Sequence, residues 1–75
     1  MGALYLRYTS EGEQLRSRRI DLGMSVSRVA KLTFLSRQTI YNIEGGIGSM
    51  ATIHHLDLFY REFETKLLAF QDKWR

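Results

Sequence analysis

Apolar residues recur at alternating intervals of three and four along the last third of the chain. The series is Ile53, Leu56, Tyr60, Phe63, Leu67, Phe70 and Trp74. Such heptad spacing predicts one amphipathic helix, which Thr52 can cap and which no glycine or proline interrupts. A break near Glu64, which would fold the last residues back as a fifth helix, stays an alternative.

A shorter helix is predicted near the beginning of the chain. Ser10 and Glu13 fit a capping box. Leu15 supplies an apolar position, and Gly23 provides a stop signal. We therefore expect a first helix over residues 11–22.

Two further short helices follow, with only a tight turn around Thr33–Leu35 between them. Ser25 can cap the first and Ser36 the second, which ends at Gly45-Gly46. Their inward positions are Val29, Ala30, Ile40 and Ile43. Two short helices joined in this way expose the outer face of the second.

Residues 1–10 form an N-terminal arm in this interpretation. Ala3–Tyr8 is apolar and rich in strand-forming residues, so an extended arm, an edge strand and an extra helical turn all fit. Docking on the core or on a partner is favoured over an arm that contacts DNA. The stretch contains Arg7 and lacks a basic leader and a small-residue cleavage site, so we expect no signal peptide and a cytoplasmic protein.

The composition narrows the function classes. With 75 residues, 44% of them hydrophobic, the chain can form one small domain but hardly an elaborate enzyme pocket. No apolar run approaches the ~20 residues of a membrane span. Cysteine is absent, and His54 and His55 are adjacent, so that on a helix they point about 100° apart and cannot chelate one metal. We expect no enzyme, no cofactor, no metal and no membrane association.

The charge is uneven along the chain, whose formal net charge is +3. Residues 1–50 contain seven Lys or Arg against four Asp or Glu, whereas residues 51–75 contain four of each. A basic surface favours an acidic partner such as nucleic acid. A surplus of three is nevertheless common on soluble domains, so the charge alone indicates little.

The segment from Leu15 to Gly46 resembles the Cro and phage-repressor (XRE) family of helix-turn-helix DNA-binding proteins. The matching features, in order and without gaps, are Arg19, Leu22-Gly23, Ser25, Ala30, Ser36 and Glu44-Gly45-Gly46. With Ala51–Phe63 similar to the family's fourth helix, the resemblance covers about residues 12–63. It implies an all-α, lambda-repressor-like helix-turn-helix domain at residues 11–63. The heptad spacing adds a helical extension at residues 64–75 that we expect to mediate dimerisation, so that we predict four to five helices with a long one at the C-terminus.

Burial of Ile40 and Ile43 would direct the polar side chains of the third helix outward. Arginine can bind guanine bidentately, and glutamine or asparagine can bind adenine. The resemblance implies base contacts from Arg37, Gln38 and Asn42. It implies phosphate or secondary contacts from Ser25, Val26, Ser36, Thr39, Tyr41 and Gly46.

The resemblance also implies an ion pair between Arg19 and Glu44. Three positions depart from the family pattern. Phe34 replaces the usual turn glycine and must adopt a left-handed or distorted conformation; Val26 replaces a phosphate-binding glutamine; and the loop Gly45–Met50 contains no basic residue. These departures weaken the phosphate anchoring expected of a monomer.

We therefore predict a sequence-specific regulator that binds duplex DNA as a homodimeric repressor on a palindromic operator. The predicted dimer interface comprises Tyr60, Phe63, Leu67, Phe70 and Trp74. An alternative is an antitoxin-type module that holds a toxin through Leu32 and Leu58 and autoregulates its operon. A third interpretation is a helix-turn-helix subunit that has lost DNA binding.

Overall fold

The computed structural model describes residues 9–73, with side chains to residue 71. Four α-helices follow one another: α1 (Thr9–Asp21), α2 (Val26–Thr33), α3 (Arg37–Glu44) and α4 (Met50–Lys73). The predicted all-α class is confirmed, with α2 and α3 forming a helix-turn-helix and α4 the long C-terminal helix. The predictions for Ala3–Tyr8 and Trp74 lie outside the described residues.

The first helix begins earlier than its local sequence predicts. Ser10 lies inside α1 and accepts a hydrogen bond from Gln14 Nε2 (3.4 Å), so the predicted capping box with Glu13 is wrong. Thr9 packs closely against Gly46. A Cβ placed on that glycine would lie only 3.0 Å from Thr9 Cα. This packing explains why α1 includes Thr9 and Ser10, the last two residues of the predicted arm.

Positive φ angles mark the turns on either side of α2. Gly23 (φ 71°) follows α1, and the amide of Met24 donates to the Arg19 carbonyl (3.0 Å), which closes a Schellman motif. Phe34 (φ 63°) adopts the left-handed conformation predicted for the turn between α2 and α3. Its side chain is 94% exposed.

The last helix starts at Met50 and is continuous to Lys73. Its N-cap is Ser49, whose Oγ accepts from the amide of Thr52 (3.1 Å), so the prediction that Thr52 is the cap is wrong. The alternative of a break near Glu64 is also wrong. Without an internal glycine or proline, the backbone hydrogen bonds of α4 continue beyond the domain's core.

One apolar core joins all four helices. Its buried members are Leu15, Met24, Val26, Val29, Ile40, Ile43, Ile53, Leu56 and Tyr60. Tyr60 is fully buried in this core, so its predicted place in a dimer interface is wrong. The same burial raises the pKa of its hydroxyl to about 12. Phe63 packs against the core, whereas Leu67 and Phe70 are 39% and 59% exposed.

Arg18 connects α1 to α4 through a cluster that the sequence did not reveal. Its Nη1 donates to Asp57 Oδ1 (2.6 Å), and its Nη2 lies 3.3 Å from Glu64 Oε1. The guanidinium also lies 5.5 Å from the centre of the Tyr60 ring. The cluster fixes the direction in which α4 leaves the domain.

This cluster predicts an acid-sensitive contribution to stability. The Arg18 hydrogen bond lowers the pKa of Asp57 below its ordinary value of 3.8. The pair therefore stabilises the fold fully at pH values above 3.8, and this stabilisation is lost as the pH falls through the lowered pKa of Asp57. We expect Asp57→Asn to be less stable than the parent at neutral pH, with a difference that shrinks below pH 3.8. Urea titrations of both proteins at several pH values measure this difference in the free energy of unfolding. A difference that stays constant down to pH ~2 would contradict the Arg18–Asp57 ion pair as its source.

Candidate nucleic-acid interface

The outer face of α3 is polar because its apolar residues point into the core. Ile40 and Ile43 are 0% and 1% exposed. The exposed side chains of α3 are Arg37, Gln38, Tyr41 and Asn42. The structure thus brings the three predicted base-contacting residues together on one short helix.

Ser36 fixes the beginning of this helix. Its Oγ accepts from the amide of Thr39 (3.0 Å), and the two hydroxyls lie 2.8 Å apart. Ser36 and Thr39, predicted as phosphate contacts, are therefore engaged in capping. Arg37 and Gln38 follow at once, and their backbone is held by the cap.

Gln38 and Asn42 form a bridged pair one turn apart. Gln38 Nε2 donates to Asn42 Oδ1 at 2.9 Å, and both side chains are exposed. The bridge leaves the Gln38 oxygen and the Asn42 amino group available, together with the second hydrogen of the Gln38 amide. One acceptor and two kinds of donor are thus held in a defined orientation on the exposed face of α3.

The beginning of α2 offers fewer groups for phosphate contacts than the sequence predicts. Ser25 Oγ accepts from the amide of Arg28 (3.1 Å) and so acts as the helix cap. The Val26 side chain is 7% exposed and belongs to the core. Any contact from Val26 is consequently restricted to its main-chain N–H.

Gly46 has a folding role that corrects its predicted phosphate contact. It is buried, adopts φ 90°, and donates its amide to the Ile43 carbonyl (2.9 Å). Its close approach to Thr9 leaves no room for a side chain. The amide is therefore already used to end α3.

Arg19 and Glu44 form the ion pair that the family resemblance implies. Arg19 Nε lies 2.6 Å from Glu44 Oε2, Nη2 lies 3.1 Å from Oε1, and Nη1 donates to the Met24 carbonyl (2.9 Å). The side chains are 13% and 6% exposed. The Glu44 hydrogen bond raises the pKa of Arg19, and the ion pair holds the end of α3 against α1.

The exposed charged residues of α2 and α3 are all basic. Arg28, Lys31 and Arg37 are exposed on α2 and α3. The acidic residue of these two helices is Glu44, which Arg19 neutralises. The arrangement can attract a polyanion and present hydrogen-bonding side chains to it.

A separate apolar groove lies between the end of α2 and α4. Leu32, Phe34, Leu58 and Phe59 line it together with Thr33, His55 and Glu62, and its volume is about 360 Å³. The sequence singled out Leu32 and Leu58 as exposed apolar residues. No local pattern indicates that Phe34 joins them, because its place in the groove depends on how the end of α2 lies relative to α4.

No family model, curated protein or solved structure matches the chain. Between residues 9 and 73, no helix combines the length and apolar character that crossing a membrane requires. In the same part of the chain, no three His, Cys, Asp or Glu side chains are grouped as metal ligands would be.

Proposed function

We propose that the protein is a sequence-specific regulator of the XRE type that binds duplex DNA as a homodimeric repressor. The observation that carries the proposal is the exposed face of α3, where Arg37 stands beside the bridged Gln38–Asn42 pair. Both ends of this helix are fixed, by Ser36 and by the Arg19–Glu44 pair. Gln38 and Asn42, which already hold one another, would lose less conformational entropy on binding than free side chains would.

The dimensions and chemistry of α3 suit the major groove of DNA. Eight helical residues extend about 12 Å, and the groove is about 12 Å wide. Arg37 is suited to the two acceptors of guanine, whereas Gln38 or Asn42 can pair with the donor and acceptor of adenine. Arg28 and Lys31 would then add attraction to the phosphates.

Dimerisation follows from the small size of this reading surface. One short helix contacts only a few base pairs, and Ser25, Ser36 and Thr39 already use their hydroxyls in hydrogen bonds within the chain. Two linked copies add their contacts through a high effective concentration. A twofold dimer requires a near-palindromic operator whose half-sites lie about 34 Å apart.

Alanine at Arg37 and Gln38 tests the assignment of the interface. Each lost base contact should weaken operator discrimination by about 1–3 kcal/mol, with the fold retained because both side chains are exposed. Footprinting on the DNA upstream of the gene identifies the operator, and gel-shift titrations then measure affinity and selectivity.

Arg16→Ala with Gln14→Ala is the matched control. The same two residue types are removed from the exposed surface of α1, and the net charge changes equally. We expect this control to retain operator selectivity. Equal behaviour of the two double variants would sink the base-contact assignment.

A second candidate function is a protein-interaction module of the antitoxin type. The exposed apolar residues Leu32, Phe34 and Leu58 favour it, because they form one groove on a face separate from α3. A regulator should self-associate alone and bind its own upstream DNA. An antitoxin should in addition form a stoichiometric complex with the product of its neighbouring gene, which sedimentation of the mixture detects.

A further inference from the structure

The groove between α2 and α4 is lined by apolar side chains whose exposure to water is unfavourable in an isolated chain. Phe34 is 94% exposed and also has a φ of 63°, where a residue other than glycine is strained. Leu32 and Leu58 beside it are each 45% exposed. An apolar occupant would remove all three side chains from water and offset this cost.

We propose that the occupant is α4 of a second copy of this chain, and that two copies dock reciprocally with their α4 helices antiparallel. In this arrangement, residues 65–73 of each copy lie across the groove of the other. The inference specifies the partner in the proposed dimer and in that sense rests on the proposed function. Its test requires no DNA.

The size of α4 supports this occupant. The buried residues of α4 end at Tyr60, and residues 65–71 are all exposed. They include Leu67, Leu68 and Phe70, which are 39%, 61% and 59% exposed. Residues 65–73 measure about 12 Å, which matches the stretch of about 10 Å from His55 to Glu62 along the groove.

The charges of α4 select an antiparallel arrangement. Glu62 and Lys66 are both exposed, and neither forms an ion pair within the described part of the chain. Antiparallel pairing centred on position 64 places Glu62 opposite the partner's Lys66, and the symmetry repeats this pair. Glu64 at the centre is paired with Arg18 of its own α1, which compensates its charge. A parallel pairing in register would instead place like charges opposite each other, which is unfavourable.

The same register places apolar groups in the groove. It sets the partner's Phe70 opposite Leu58, next to Leu32 and Phe34. It also sets the small Ala69 of the partner opposite Phe59, where two helices can approach closely. Charge pairing and groove filling therefore agree on one register.

A charge exchange tests the pairing in sedimentation equilibrium of the full chain. We expect the parent to dimerise at tens of micromolar, and Glu62→Lys or Lys66→Glu alone to weaken dimerisation about tenfold or more. The double exchange should restore it, because opposite charges again face each other. Glu13→Lys, on the exposed surface of α1, is the control and should behave as the parent does.

Three outcomes of this experiment would overturn the pairing. They are a parent that is monomeric at these concentrations, single exchanges without effect, and a double exchange no better than the single ones. Circular dichroism of each variant checks that α4 remains helical. Because no DNA is present, failure here leaves the α3 interface standing, while failure of the gel-shift series leaves the dimer standing.

Phe34→Gly separates dimerisation from folding. Glycine tolerates the positive φ, so the dilute monomer should melt roughly 4–8 °C higher than the parent. Dimerisation should nevertheless weaken several-fold, because the aromatic wall of the groove is lost. A variant that is more stable and dimerises as tightly as the parent would contradict the role of the groove.

Discussion

Replacing Glu44 with alanine should lower the free energy of unfolding by about 3–5 kcal/mol. The change leaves Arg19 charged and 13% exposed, with only the Met24 carbonyl still bound to it. The total free energy of unfolding of a domain of this size is only about 4–11 kcal/mol, so the variant should be only marginally folded. Urea denaturation followed by circular dichroism measures the loss.

Two comparisons isolate the cause of this loss. Glu13→Ala removes an exposed carboxylate from α1 and should change stability little. Glu44→Leu combined with Arg19→Met replaces the pair by apolar groups and should recover most of the stability, because no buried charge remains unpaired. A Glu44→Ala variant as stable as the parent would mean that the pair contributes nothing to the fold.

Gly12→Ala should destabilise the protein by about 3 kcal/mol, although alanine is the better helix former. A Cβ at Gly12 would overlap the Ile43 carbonyl oxygen and lie 3.0 Å from the Glu44 carbonyl oxygen. Both are backbone atoms at the end of α3, so no side chain can rotate away. The two helices would have to separate, which would also disturb the position of α3.

Gly45→Ala is the matched control for this substitution. Gly45 has a negative φ of −84°, and a Cβ there would meet the nearest atoms only at 3.5 Å. We expect it to melt close to the parent. If Gly12→Ala also melts close to the parent, α1 and α3 do not approach each other closely at Gly12.

The sequence predicts those parts of the fold that short-range signals determine. Ser25 and Ser36 cap their helices as expected, because an N-cap depends only on residues two or three positions away. Gly23 ends α1 for a similarly local reason. The left-handed conformation of Phe34 is implied by the family resemblance, because Phe34 occupies the position of the usual turn glycine. The outward face of α3 follows from the spacing of its two buried isoleucines.

The parts that depend on distant contacts could not be predicted in this way. The Arg18 cluster joins residues 39 and 46 positions apart, and no periodicity marks such a pair. The early start of α1 depends on the packing of Thr9 against Gly46. Tyr60 occupies the same heptad seam as Leu67, and the spacing marks both only as apolar positions. That Tyr60 lies in the core and not in a dimer interface depends on its contacts with the other helices.

The continuity of α4 has a consequence for the DNA. The helix has no internal glycine or proline, and Arg18 ties it to α1, so the chain has no joint between its proposed binding face and its proposed dimer contact. The proposed dimer would therefore resist changes in the distance and twist between its two α3 helices. Operators of unequal spacing would then have to bend or untwist to fit. The flexibility of base pairs that the protein never touches would thereby become part of its sequence preference.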